Sequence, residues 1–211
     1  MFLDTLWQDP LLYGAYLAII IFSICLHELC HAWAAAWQGD ETAKQLGYFT
    51  LNPMVHMGPA SLVLLALFGM AWGLCPVNPA RFRGRYSDAI VSFAGPFANL
   101  MLMLFCCAAI LVLMVSGIGA DWLWVLNLAA LINTYLFLFN LIPLPPLDGF
   151  PILASLVPPF RPLGQVLQPY GFVLLIVLFW LGLGKIFSGL SREVVQAVVL
   201  TMADGLGLRA G

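Results

Sequence analysis

Charge is what this sequence has least of. Only 9% of its 211 residues are Asp, Glu, Lys or Arg, against about 25% in soluble domains. The net charge is −2 and no run of basic residues occurs, so nothing offers an electrostatic footprint for nucleic acid. No Lys or Arg precedes Lys44. The opening MFLDTLWQDP therefore lacks the basic n-region of a cleavable signal peptide, and the first apolar run is expected to stay in the mature protein. Cysteine excludes something too. Five residues, Cys25, Cys30, Cys75, Cys106 and Cys107, make an odd set without C-x-x-C spacing. Four lie in apolar segments, where cysteine behaves as a small hydrophobe, so no disulfide framework is expected.

Apolar residues fill the space that charge leaves. They make up 63% of the chain, beyond the roughly 45–50% of soluble domains. Several runs approach or exceed the ~20 residues that cross ~30 Å of hydrocarbon. The expected fold is an all-α polytopic membrane protein with about four to five transmembrane helices in a lipid bilayer. Spans are expected over residues 11–37, 89–116, 122–142 and 170–186. The apolar run 60–74, ASLVLLALFGMAWGL, is short for a span and suits a re-entrant segment. Before it, LGYFTL is rich in strand formers and predicts a short membrane-associated β-hairpin. No repeat and no separate soluble domain interrupts the chain. One membrane domain covers residues 1–189, with its core at 11–150, and a tail at 190–211 could form an amphipathic helix.

Inside the first span sits FSICLHELCHAWA. His27 and His31 are four residues apart, which on a helix puts both imidazoles on one face, able to grip one metal ion. Glu28 can then act on a metal-bound water, whose pKa zinc lowers to about 7, as general base. The plainer alternative is a packed histidine pair with Glu28 bonded elsewhere. Membrane burial weighs against it: a charge near the bilayer centre costs about 2.5–3.5 kcal/mol on insertion scales. Glu28 has no basic partner on its own helix, whereas a cation would satisfy the whole cluster. Cys30 projects from another face and reads as an apolar filler.

Two histidines require a further protein ligand and an open position. Of the 10 acidic residues, Asp4, Asp9, Asp40, Glu41, Asp121, Glu193 and Asp204 fall in stretches expected to be solvated, and Asp88 adjoins an arginine-rich loop. Asp148 remains, in PLPPLDG, just after a span that prolines must break. Unwound backbone at membrane depth is tolerated where protein or a wet cavity surrounds it. An ordinary turn at the membrane surface is the competing explanation for Asp148.

HELCH, AGPFAN and NLIPLPPLDG, in that order, resemble the site-2 protease family of intramembrane zinc metalloproteases. GYFTLNPMVHMGP and PVNPARF are similar to its compact bacterial branch, which lacks PDZ and CBS domains. The resemblance covers residues 25–149. It implies one Zn²⁺ per chain held by His27, His31 and Asp148, Glu28 as general base, and Asn140 near the scissile carbonyl. It implies a transmembrane protein as substrate, regulated intramembrane proteolysis as the activity, and a multi-pass protein of the bacterial inner membrane. Asn52 and His56, in LNPMVHMGP, are candidates for substrate contact. The aspartate usual two residues after that histidine is Gly58 here, which weakens a chemical role for the loop. Gly95 and Asn99 of AGPFAN read as scaffold for close helix approach. A metal transporter or sensor without hydrolysis is the rival reading.

The site also constrains topology. HELCH lies towards the C-terminal end of its span, and Asp148 follows the C-terminal end of another. The two spans must therefore run parallel, with one reversed span between them, and residues 60–74 cannot cross. Lys44, Arg81, Arg83, Arg85 and Arg161 then share one side, cytoplasmic by the positive-inside rule. An exposed strand in LGYFTL could add to an unwound substrate.

Overall fold

The computed structural model describes residues 3–117 and 119–207, and all of its longer elements are helical. A single turn, α1 (Asp4–Gln8), leads into α2 (Pro10–Trp37), followed by the short α3 (Thr42–Gln45), α4 (Pro53–His56) and α5 (Gly58–Phe68). Two long helices come next, α6 (Ser87–Ser116) and α7 (Leu123–Asn140). The remainder is α8 (Gly149–Leu156), α9 (Arg161–Leu167), α10 (Gly171–Trp180) and α11 (Leu183–Gly205). Among the described residues, five segments are long and apolar enough to cross a membrane: α2, α6, α7, the stretch Pro158–Trp180, and α11. The chain is an integral membrane protein.

Local chemistry sets the start of α2. Pro10 occupies the first turn, where its missing N–H costs nothing, and Asp9 caps the helix by accepting from the Leu12 N–H at 2.9 Å. At ~1.5 Å per residue α2 reaches about 42 Å, longer than the hydrocarbon is thick. One apolar core joins Ile20 and Ile24 of α2 to Leu65 of α5 and Ile132 of α7. A second joins Met103 and Cys107 of α6 to Ala130 of α7 and Val195 of α11. The two cores place α7 between α2 and α11.

Between α2 and α6 the chain dips and returns. The 11 residues of α5 reach about 16 Å, too little to cross. Tyr13 Oη donates to the Ala66 carbonyl at 2.7 Å, which sets the far end of α5 beside the start of α2. Residues 70–78, without helix or strand pairing, then climb back. Ser61 Oγ both accepts from the Trp72 N–H and donates to its carbonyl, and the Leu74 N–H donates to the His56 carbonyl at 2.8 Å. The Asn78 N–H reaches Asp40 Oδ2 at 2.6 Å, and the Arg83 N–H reaches the Gln38 carbonyl at 3.1 Å. Residues 38–40 and 78–83 therefore lie at one end of α2, and the segment between them is re-entrant, as the parity of the site requires.

Three expectations need correction. No strand occurs among the described residues, so LGYFTL is not a hairpin and has no edge to lend a substrate. Its strand formers find no partner strand; the Tyr48 N–H turns back to the Ala43 carbonyl, and the Thr50 carbonyl accepts from His56. A span over residues 170–186 does not form either, because Gly182, in the left-handed region at φ +98°, separates α10 from α11. The helix beyond it runs through residue 190 without a break. Finally, Asp40 is not solvated: it is 0% exposed. Burial would raise its pKa, but hydrogen bonds from the Asn78 N–H and from the Thr42 hydroxyl and N–H, with Arg81 beyond them, hold it below the ordinary carboxylate range.

Candidate metal centre

Helical spacing turns His27 and His31 to one face of α2, with ring centroids 4.6 Å apart and planes 78° from each other. The chain reverses after α7 through residues 141–147, and Asp148 stands at the head of α8. That placement brings Asp148 Oδ2 to 3.0 Å from His27 Nε2 and Asp148 Oδ1 to 3.4 Å from His31 Nε2. The two Nε2 atoms are themselves 3.0 Å apart. Residues 121 positions apart thus meet, and the surface-turn explanation for Asp148 falls away.

The far nitrogens of both rings are engaged. His31 Nδ1 lies 2.7 Å from the Val91 carbonyl, and His27 Nδ1 lies 2.7 Å from Asn99 Oδ1. Each partner is an acceptor, so each Nδ1 carries the proton, and in the neutral ring each Nε2 then offers a lone pair. Two lone pairs and a carboxylate converge with no donor among them, an arrangement that positive charge between them stabilises. A zinc tetrahedron with bonds of ~2.0–2.1 Å has edges of about 3.3 Å, which the 3.0–3.4 Å separations approach. His27, His31 and Asp148 form the one three-residue group among the described residues able to hold a metal ion. The residues fit zinc, and three ligands leave a position for water or substrate. Asp148 retains 20% exposure, which gives the centre an open side.

Glu28 lies one residue from His27 and a helical turn from His31. It is half-buried, and among the described residues no protein group donates to its carboxylate. The returning segment passes directly over it: a Cβ on Gly73 would collide with Glu28 Oε1, Cγ and Cδ. Gly95 of α6 faces the ligands in the same way, and a Cβ there would strike the Nε2 atoms of both histidines. The small-residue reading of AGPFAN holds, with the close approach occurring at the site itself.

The other candidates make their hydrogen bonds to partners outside the ligand set. Asn140, at the end of α7, donates to the Leu136 carbonyl of its own helix at 3.0 Å. His56 is 1% exposed, its Nε2 donates to the Thr50 carbonyl at 2.7 Å, and Tyr48 packs against its ring. Asn52 is exposed and caps α4 by accepting from the Met54 N–H at 2.9 Å. Both residues shape the loop that carries them. Gly73 carries no signal in the sequence, and Asn99 is more than scaffold, since its carbonyl oxygen contacts a ligand histidine. A buried amide in a span one helical turn from Gly95 was the available signal.

The chain is similar in sequence to known proteins. The chain is 38% identical over 195 residues to "Putative zinc metalloprotease YwhC" of Bacillus subtilis, covering 87% of this chain and 88% of that protein. It is 35% identical over 185 residues to "Putative zinc metalloprotease Rip2" of Mycobacterium tuberculosis, covering 81% and 70% respectively. Rip2 of Mycolicibacterium smegmatis is 32% identical over 183 residues. No family model matches the chain, and no solved structure matches it.

Proposed function

The chain belongs to the site-2 protease family of zinc metalloproteases, and from that premise we propose that it hydrolyses a peptide bond within or beside a transmembrane segment of another protein. The reading rests on one observation: three metal-binding atoms converge beside Glu28 on a helix long and apolar enough to span the bilayer. His27, His31 and Asp148 hold one Zn²⁺ per chain. Bound there, the ion would supply Lewis-acid chemistry, enough to bring the pKa of water to about 7. Glu28, free of protein donors, accepts the proton of the attacking water and returns it to the leaving amine. Asn140 keeps a second amide N–H beyond its bond to Leu136, and that hydrogen serves the developing oxyanion.

Depth supports a membrane-embedded substrate. His27 and His31 precede the end of α2 by ten and six residues, or about 15 and 9 Å. The centre therefore lies within an apolar span and not at its end, where an unwinding transmembrane helix can meet it. The setting we assign is the bacterial inner membrane, the reaction regulated intramembrane proteolysis, and the arginine-bearing side the cytoplasmic one.

Purified protein mixed with a single-span test substrate in detergent examines this directly. Wild type should cut within or beside the span, while Glu28→Gln should keep zinc and lose at least about 10²-fold in rate, the usual weight of a general base. Cleavage confined to soluble peptides would contradict the substrate class. Undiminished cutting by Glu28→Gln would contradict the mechanism.

A further inference from the structure

The two ligand histidines are oriented by different means. His31 Nδ1 faces a backbone carbonyl, that of Val91, which can only accept. His27 Nδ1 faces an amide oxygen, that of Asn99, and an amide can turn over. Were Asn99 reversed, its NH₂ would face Nδ1, the imidazole proton would move to Nε2, and that proton would point into the ligand cluster.

A second amide prevents the reversal. Asn99 Nδ2 donates to Asn133 Oδ1 at 3.0 Å, and Asn133 Nδ2 donates to the Ala129 carbonyl at 2.9 Å. The Ala129 carbonyl has no proton to give, so Asn133 must present its NH₂ there and its oxygen to Asn99. Asn99 must then present its NH₂ to Asn133 and its oxygen to His27. The direction of every bond follows from one backbone acceptor on α7. Both amides lie out of water, Asn99 0% and Asn133 2% exposed, so no solvent can stand in for either partner.

We propose that Asn99 and Asn133 are positioning residues that act in series to hold His27 in the tautomer whose Nε2 binds metal, with the Ala129 carbonyl as the fixed point. The inference rests on the zinc reading above. It makes α7 contribute to the centre twice, through this chain of hydrogen bonds and through the Asp148 that follows it. Partners of this kind orient a ligand and raise its basicity, and their loss typically costs about 10–100-fold in metal affinity.

Zinc affinity, measured by competition with a chromogenic chelator on detergent-purified protein, tests the series. Asn99→Leu should bind zinc about 10–100-fold more weakly, and Asn99→Asp, which still accepts from His27 Nδ1, should recover most of that loss. Asn133→Leu should weaken zinc in the wild-type background and add nothing in the Asn99→Leu background. A mere packing role would make the two losses add and would leave Asn99→Asp no better than Asn99→Leu, and either result overturns the proposal. So does an Asn133→Leu protein that binds zinc as wild type does; this variant, one residue removed from the ligand, carries the test if Asn99→Leu fails to fold. If wild type and His27→Ala bind zinc equally, the zinc reading itself has failed instead.

Discussion

A methyl group on Gly95 would occupy the space into which His27 and His31 turn their Nε2 atoms, and one on Gly73 would press on the Glu28 carboxylate. The two glycines therefore separate two properties of the centre. Gly95→Ala should bind little zinc, because two of three ligands must shift. Gly73→Ala should keep its zinc and lose on the order of 10²-fold in cleavage, the usual consequence of moving a reacting group by about 1 Å. Zinc content and turnover of the same samples check both, and a Gly73→Ala enzyme of normal activity would contradict the placement of Glu28 under the returning segment. HELCH was legible in the sequence because a four-residue spacing fixes its geometry within one helix. Elimination among so few acidic residues left Asp148 a candidate, and the resemblance of NLIPLPPLDG to the family's motif implied its ligand role. Asn99 and Gly73 were not legible: their roles depend on contacts 72 and 45 positions away, which no local pattern encodes.

At the scale of elements, the re-entrant segment decides how the site is assembled. With residues 58–78 entering and leaving on one side, only α6 reverses the chain between α2 and α7, and Asp148 returns to the level of the histidines. This follows from counting crossings, so it was legible before any coordinates, whereas the content of the surrounding loops was not. Tyr48, Phe49 and Thr50 favour strands by propensity, yet propensity cannot supply a pairing partner, and the stretch folds around His56 instead. The expected span at 170–186 failed for a related reason. Two apolar runs flank Gly182, and hydropathy averages across the break that its left-handed backbone makes. Single cysteines at Glu41 and Arg85, both exposed, in a background without native cysteines, should react with an impermeant maleimide from the same side of sealed vesicles. Labelling from opposite sides would mean that residues 58–78 cross, and the site would come apart.

At the scale of the whole molecule, two clusters of polar side chains stand out among the described residues, the centre and the group around Asp40. The latter ties the end of α2 to residues 78–81, closing the re-entrant loop over Glu28. Hydrogen bonds to a charged acceptor contribute about 1.5–3 kcal/mol, so Asp40→Ala should lower the unfolding temperature in detergent and loosen that closure. Because the folded pKa of Asp40 lies below its unfolded value, near 3.9, its stabilisation is complete above that value. It should be lost only as the pH falls through the lower, folded pKa. An Asp40→Ala protein as stable as wild type at neutral pH would show that the cluster carries no such weight. The central claim concerns the other cluster: one divalent ion joins the C-terminal half of α2 to the turn after α7. Elemental analysis of the purified protein tests it most directly. Wild type should hold one zinc per chain, and His27→Ala and Asp148→Ala, each monodisperse and helical, should hold almost none. A wild type without zinc, or an Asp148→Ala protein that keeps a full complement, would contradict it.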